Sequence, residues 1–127
     1  MVHSFKLRVY FSDTDCEGIV YHGKYLDFAE HARSEMIRES VDQVILLQNH
    51  IGFVVKEINI IYDKPAFLND ELEVITKVVS SKKFSLTLSQ NVYRGEELLC
   101  KLSVKVGCID LESKRILPIT DYIKSDD

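Results

Sequence analysis

Along this chain the hydrophobic positions follow first a two-residue period, then a three-to-four-residue period, then two again. Residues 3–12, HSFKLRVYFS, interleave β-branched and aromatic side chains with polar ones, which predicts a strand. From His22 onward Tyr25, Phe28, Ala29, Ala32 and Met36 recur at steps of three and four, so a helix with one apolar face is expected to run to about Ser40. Leu26 and Ile37 widen that stripe and predict a largely enclosed helix. Residues 41–50, VDQVILLQNH, read either as a short second helix or as a loop with an apolar anchor. After Gly52 the pattern becomes strand-like in four long runs: GFVVKEINIIYD, ELEVITKVVSS, KKFSLTLSQNVY and ELLCKLSVKVGCIDL. In the third, Phe84, Leu86, Leu88 and Val92 oppose Ser85, Thr87, Ser89 and Asn91, which gives the strand one dry and one wet face.

The separators, from Lys64-Pro65 to Asn69-Asp70, from Ser80 to Lys83 and at Arg94-Gly95-Glu96, are too short for helical crossovers and suit antiparallel hairpins. Strand, helix and four antiparallel strands predict an α+β fold, a curved antiparallel sheet of about five strands around one central helix. Residues 119–127, ITDYIKSDD, are expected to fray.

Composition narrows the function classes. With 127 residues and 46% hydrophobic content, one domain spanning residues 1–127 can bury a core without metal or disulfide staples. Cys16, Cys100 and Cys108 are odd in number and at no metal-ligand spacing, so a secreted disulfide framework and a structural zinc site are both disfavoured. The opening MVHSFKLRVYF lacks a signal-peptide pattern, and no run of about 18 apolar residues occurs. A cytoplasmic protein without a membrane span is the expectation. Sixteen basic against twenty acidic residues, net −4, argue against nucleic acid as a partner.

Between the first strand and the helix lies FSDTDCEGIVYHGKYLDFAEHAR, residues 11–33, rich in polar chemistry. Thr14 and Glu17 stand three apart and suit a capping box around a single turn that Gly18 ends. On that reading Asp13 and Asp15 are turn residues bonded to nearby backbone N–H groups. A calcium loop needs further acidic ligands in series, which Gly18 and Ile19 interrupt. His31 and Glu35 form an i,i+4 pair, but the second histidine of a zinc helix is missing. Cys16 near His22 raises a thiol nucleophile as a rival reading, without a recognisable third group.

The string RVYFSDTDCEGIVYHGKYLDFAEHAR resembles the signature of the 4-hydroxybenzoyl-CoA thioesterase family, particularly its YbgC-like acyl-CoA thioesterase branch. Asp13, Thr14, Asp15, Gly18, Val20, Tyr21, His22, Tyr25 and Arg33 share one register with it, and GFVVKEINIIYDKPAFLNDELEV is similar to the family's second and third strands. The resemblance implies the hotdog fold and hydrolysis of acyl-CoA or acyl-carrier-protein thioesters, with no cofactor or metal. By position it places the catalytic carboxylate on Asp15 and a supporting role on His22. It implies that Gly18, Val20, Tyr21 and Tyr25 line the substrate site, with Gly18 letting backbone approach the substrate. Lys82 and Lys83 are candidates for the coenzyme A phosphates. Phe11 stands where some relatives carry tyrosine, so any hydroxyl contribution from that position is absent here. A hotdog hydratase or dehydratase, or an acyl-CoA-binding module without turnover, are the rival functions. Unpaired sheet edges, together with the family's pairing of sheets across a two-fold axis, predict a homodimer or homotetramer.

Overall fold

The computed structural model describes residues 2–123. The chain runs β1 (Val2–Arg8), α1 (Lys24–Arg38), α2 (Gln43–Gln48), β2 (Ile51–Tyr62), β3 (Glu71–Lys82), β4 (Ser85–Arg94), β5 (Glu97–Asp110) and β6 (Ile116–Leu117). The six strands form one antiparallel sheet in the order β1-β3-β4-β5-β2, with the two-residue β6 added to β5. Tyr25, Phe28, Ala29, Ala32, Met36 and Ile37 of α1 join Leu72, Val74, Leu86, Leu88, Val92, Leu102 and Val104 of the sheet in a single buried cluster. The expected α+β layout is therefore present, with one more short strand.

Several local expectations are corrected. The first strand stops at Arg8, because the Asp13 carboxylate accepts from the Tyr10 N–H at 2.9 Å and turns residues 11–13 into a 3-10 helix. Leu26 is exposed, and Glu30, His31 and Arg38 share its wet side, so α1 is covered on one face only. Residues 43–48 are helical, started by the Asp42 carboxylate, which accepts from the Val44 N–H at 2.9 Å. On β4 the dry face holds Leu86, Leu88 and Val92 as expected, but Phe84 precedes the strand and is 44% exposed, while Ser85 is buried. The same face also buries Gln90, held by bonds to α1 and β3. Residues 119–123 do not fray: Ile119 and Ile123 are buried, and the Ile119 N–H bonds to the Lys83 carbonyl at 2.9 Å. Residues 124–127 of that expectation lie outside the described ones.

The segment between β2 and β3 is not a hairpin. β2 pairs with β5 and sits at the far edge of the sheet, three strand spacings from β3. That is about 14 Å, which residues 63–70 can span at about 3.3 Å each. Crossing one end of the sheet, this segment lies beside the polar stretch that follows β1.

Candidate active site

The polar stretch is a small folded unit strapped to the 63–70 crossing. The Asp15 carboxylate accepts from the Glu17 N–H at 2.9 Å, an Asx turn, and the chain reverses so that Asp15 N–H bonds to the Ile19 carbonyl at 2.9 Å. Gly18 has φ +77°, a left-handed conformation suited to glycine, and no protein atom lies within 4 Å of where a Cβ would stand. Backbone conformation is thus the need visible here, rather than crowding. Thr14 donates its hydroxyl to the Phe11 carbonyl at 2.7 Å, so the expected Thr14–Glu17 capping box does not form. One turn earlier the Tyr10 N–H donates to the Asp13 carboxylate at 2.9 Å and the Asp13 N–H to the Tyr10 carbonyl at 2.9 Å. Asp13 also faces the Lys24 ammonium at 3.7 Å. Thr14 bridges to Val20 and Ile19 to Phe67.

Beside this loop a cleft of about 280 Å³ opens at one end of the sheet, lined by Val20, His22, Tyr25, Tyr62, Asp63, Lys64 and Pro65. Its wall is aromatic: the Tyr25 and Tyr62 rings meet edge to face at 5.6 Å, and Tyr62 meets His22 at 6.5 Å. The Tyr62 hydroxyl donates to the His22 carbonyl at 2.9 Å, tying β2 to the start of α1. The Tyr25 hydroxyl accepts from the Ala66 N–H at 3.1 Å. Burial pushes that phenol above its usual range, partly opposed by the Ala66 bond, so it stays neutral. α1 begins at Lys24 without a side-chain cap on Gly23, leaving positive helix-dipole charge at this end.

Of the residues singled out in sequence, Val20, His22 and Tyr25 line the cleft. Asp15 and Gly18 stand on the adjoining loop, and Tyr21 is 52% exposed with its ring tilted on His22 at 4.3 Å. Phe11 is exposed. Lys82 and Lys83 are not brought to the cleft: they lie at the opposite end of the 12-residue β3 from the 63–70 crossing. There the Lys83 ammonium stands 5.4 Å from the Phe84 ring centroid. Glu35 pairs with Arg38 at 3.2 Å rather than serving His31. Among the described residues no cluster of three His, Cys, Asp or Glu side chains is arranged to hold a metal ion. The sequence reading missed Tyr62, Asp63, Lys64 and Pro65, whose only local signal was the Lys-Pro turn after β2.

The thiols separate into two kinds. Cys100 lies across the ladder from Tyr62, and burial together with nearby Asp63 pushes it up to about 12; burial and Asp121 push Cys108 up to about 11. Both stay protonated, unlike an activated nucleophile. Cys16 is exposed. Titration of the native protein with an aromatic disulfide reagent at pH 8 is therefore expected to modify Cys16 rapidly and the other two only after denaturation. Fast reaction of more than one thiol in the native protein would contradict this burial.

An antiparallel sheet curled on one long helix and entered through an acidic turn is the hotdog arrangement of thioesterases. The chain belongs to the thioesterase-like superfamily, whose family model matches residues 9–125. Within it the chain is YbgC-like: it is 38% identical over 124 residues to the acyl-CoA thioesterase YbgC of Haemophilus influenzae, covering 96% of this chain and 91% of that one. It is also 40% identical over 106 residues to the acyl-CoA thioester hydrolase YbgC of Escherichia coli O6:H1, covering 82% and 79%. The crystal structure of a probable thioesterase from Bartonella henselae superposes with a TM-score of 0.86 at 29% identity, covering 93% of this chain and 98% of that one.

Proposed function

We propose that the protein hydrolyses acyl thioesters of coenzyme A, or of acyl carrier protein, with Asp15 as nucleophile or as general base toward water. The observation that carries this reading is the exposed Asp15 carboxylate in a hydrogen-bonded turn whose neighbouring residue, Thr14, bridges directly to Val20 in the cleft wall. Either role uses the carboxylate as the electron-pair donor, toward the carbonyl carbon or toward a proton of water. The leaving thiolate has a conjugate acid near ~8.5 by analogy with cysteine, so its expulsion needs far less acid assistance than loss of an amine or alkoxide. Charge developing on the carbonyl oxygen is met by the backbone N–H groups of His22 and Gly23 at the uncapped start of α1, since those of Gly18, Val20, Tyr21 and Lys24 are already bonded to backbone carbonyls, with the His22 side chain as a further donor or water-orienting group. Tyr25 and Tyr62 supply the apolar wall beside the acyl group.

Incubation with a chain-length panel of acyl-CoA substrates, following free thiol, is expected to give turnover with a preference among the acyl groups. Loss of enoyl absorbance without thiol would instead assign a hydratase, and binding without either change a non-catalytic module.

The site is proposed to work in a homodimer. β2 is an edge strand exposing Val55, Ile58, Ile61 and Tyr62, and pairing with its own two-fold copy covers them and continues the sheet. In such an antiparallel pairing the opposite end of the partner's sheet, where its lysine pair at the β3–β4 turn lies, faces the same side as this chain's cleft. Sedimentation at micromolar concentration is expected to give at least twice 14.6 kDa. A fully active species at the monomer mass would refute the pairing.

A further inference from the structure

Arg94, at the end of β4, reaches three separate acceptors at the crossing. One terminal nitrogen donates to the Asp70 carboxylate at 2.7 Å and to the Pro65 carbonyl at 3.2 Å, and the other donates to Glu97 at 2.6 Å. The Asp70 oxygen it meets also accepts from the Phe67 N–H at 2.8 Å, and Glu97 in turn accepts from Lys64 at 2.9 Å. Arg94 also lies over the Phe67 ring at 5.7 Å. One guanidinium thus ties down the 63–70 segment at Lys64, Pro65, Phe67 and Asp70.

That segment holds the acidic loop. Val20 N–H bonds to the Ala66 carbonyl at 2.9 Å, Leu68 N–H to the Gly18 carbonyl at 3.0 Å, Asn69 N–H to the Val9 carbonyl at 2.9 Å, and Val9 N–H to the Asp70 carbonyl at 2.9 Å. Ala66 also donates to Tyr25. These bonds end on Ala66, Leu68, Asn69 and Asp70, which lie between or at the residues Arg94 holds, while the Tyr62 hydroxyl separately holds the His22 carbonyl.

The geometry points to Arg94 as a positioning residue for the reaction: through the 63–70 segment it sets where the Asp15–His22 loop stands against the cleft. The kinetic part of this inference rests on the thioesterase reading above. Arg94 touches neither Asp15 nor His22, so its loss acts by misplacement, and a shift near 1 Å in a reacting group can cost about 10²-fold.

The experiment compares Arg94→Ala and Arg94→Lys with the unaltered protein, well below their melting temperatures, by steady-state kinetics on acyl-CoA and by amide hydrogen exchange. In Arg94→Ala, kcat is expected to fall about 10–100-fold with KM little changed. Exchange at Val20 and Leu68 should quicken by about tenfold or more, while Leu88 and Val104 in the central ladder keep their protection. Arg94→Lys retains the charge, but its single ammonium cannot meet Asp70, Pro65 and Glu97 together, so part of both effects should return. Unchanged exchange at Val20 overturns the inference whatever the kinetics. A raised KM with unchanged kcat also overturns it, by assigning Arg94 to direct substrate contact. If the unaltered protein releases no thiol, the thioesterase reading fails by itself, and exchange at Val20 and Leu68 still decides whether Arg94 holds the loop.

Discussion

Replacing Asp15 with asparagine is expected to lower the turnover of acyl-CoA by about 10²–10⁴-fold, with the chain still folded. Asparagine keeps a carbonyl oxygen that can accept the Glu17 N–H, so the Asx turn and the Gly18 reversal survive. What disappears is the anion, the one property that both attack on the carbonyl and deprotonation of water require. Thermal unfolding should shift by no more than an exposed polar substitution does, about 0.5 kcal/mol. Asp13→Asn is the contrasting case. Its side chain is only 14% exposed, receives the Tyr10 N–H and faces Lys24, so neutralising it should cost about 0.5–1 kcal/mol of stability and little turnover. Turnover rates of the two variants, each normalised to folded protein, decide between them: if Asp13→Asn abolished thiol release and Asp15→Asn did not, the catalytic assignment would move to Asp13.

The second large effect lies in the core. Gln90 is fully buried on β4 and donates to the Ala29 carbonyl at 2.9 Å and to the Thr76 hydroxyl at 3.0 Å, while its own carbonyl accepts from Arg33 at 3.1 Å. Arg33 is a buried guanidinium on the apolar face of α1, and burial, opposed by Glu30, pulls its pKa below the usual arginine value. Gln90→Leu keeps the volume and adds apolar surface, yet it is expected to destabilise the protein by about 2–4 kcal/mol. The loss comes from a charged group and a hydroxyl left without that partner in a dry layer. Urea unfolding should show a lower midpoint at unchanged slope. Adding Arg33→Met to Gln90→Leu should recover the larger part of the loss, because it removes the orphaned charge and leaves only the Thr76 hydroxyl without its partner. Additive destabilisation in the double variant would mean that the two side chains do not depend on each other.

Both experiments probe residues that differ in how readily the chain reveals them. Asp15 is legible in sequence as a turn residue because the turn is local: Asp15, Glu17 and Gly18 lie within four positions, whereas its proposed catalytic role comes from the family resemblance. Arg33 carries the resemblance, but its partner Gln90 is 57 positions away. Nothing in the polar alternation of β4 marks Gln90 as an inward residue, since a glutamine at that parity satisfies a wet or a dry face according to what stands opposite. The same limit explains Phe84 and Leu26. Each fits the period of its segment, and each is exposed because no other element covers it.

By itself the sequence determined the element types, the apolar face of α1, the acidic turn and the class of fold, because these rest on short-range periodicity, turn chemistry and a contiguous motif. Tertiary structure alone decided that β2 leaves β3 and crosses to the edge beside β5, since strand order depends on pairings far apart in the chain that no local pattern encodes. That crossing builds the other half of the cleft. It sets Tyr62, Asp63, Lys64 and Pro65 against His22 and Tyr25, places Lys82 and Lys83 at the opposite end, and puts the 63–70 segment under the hold of Arg94.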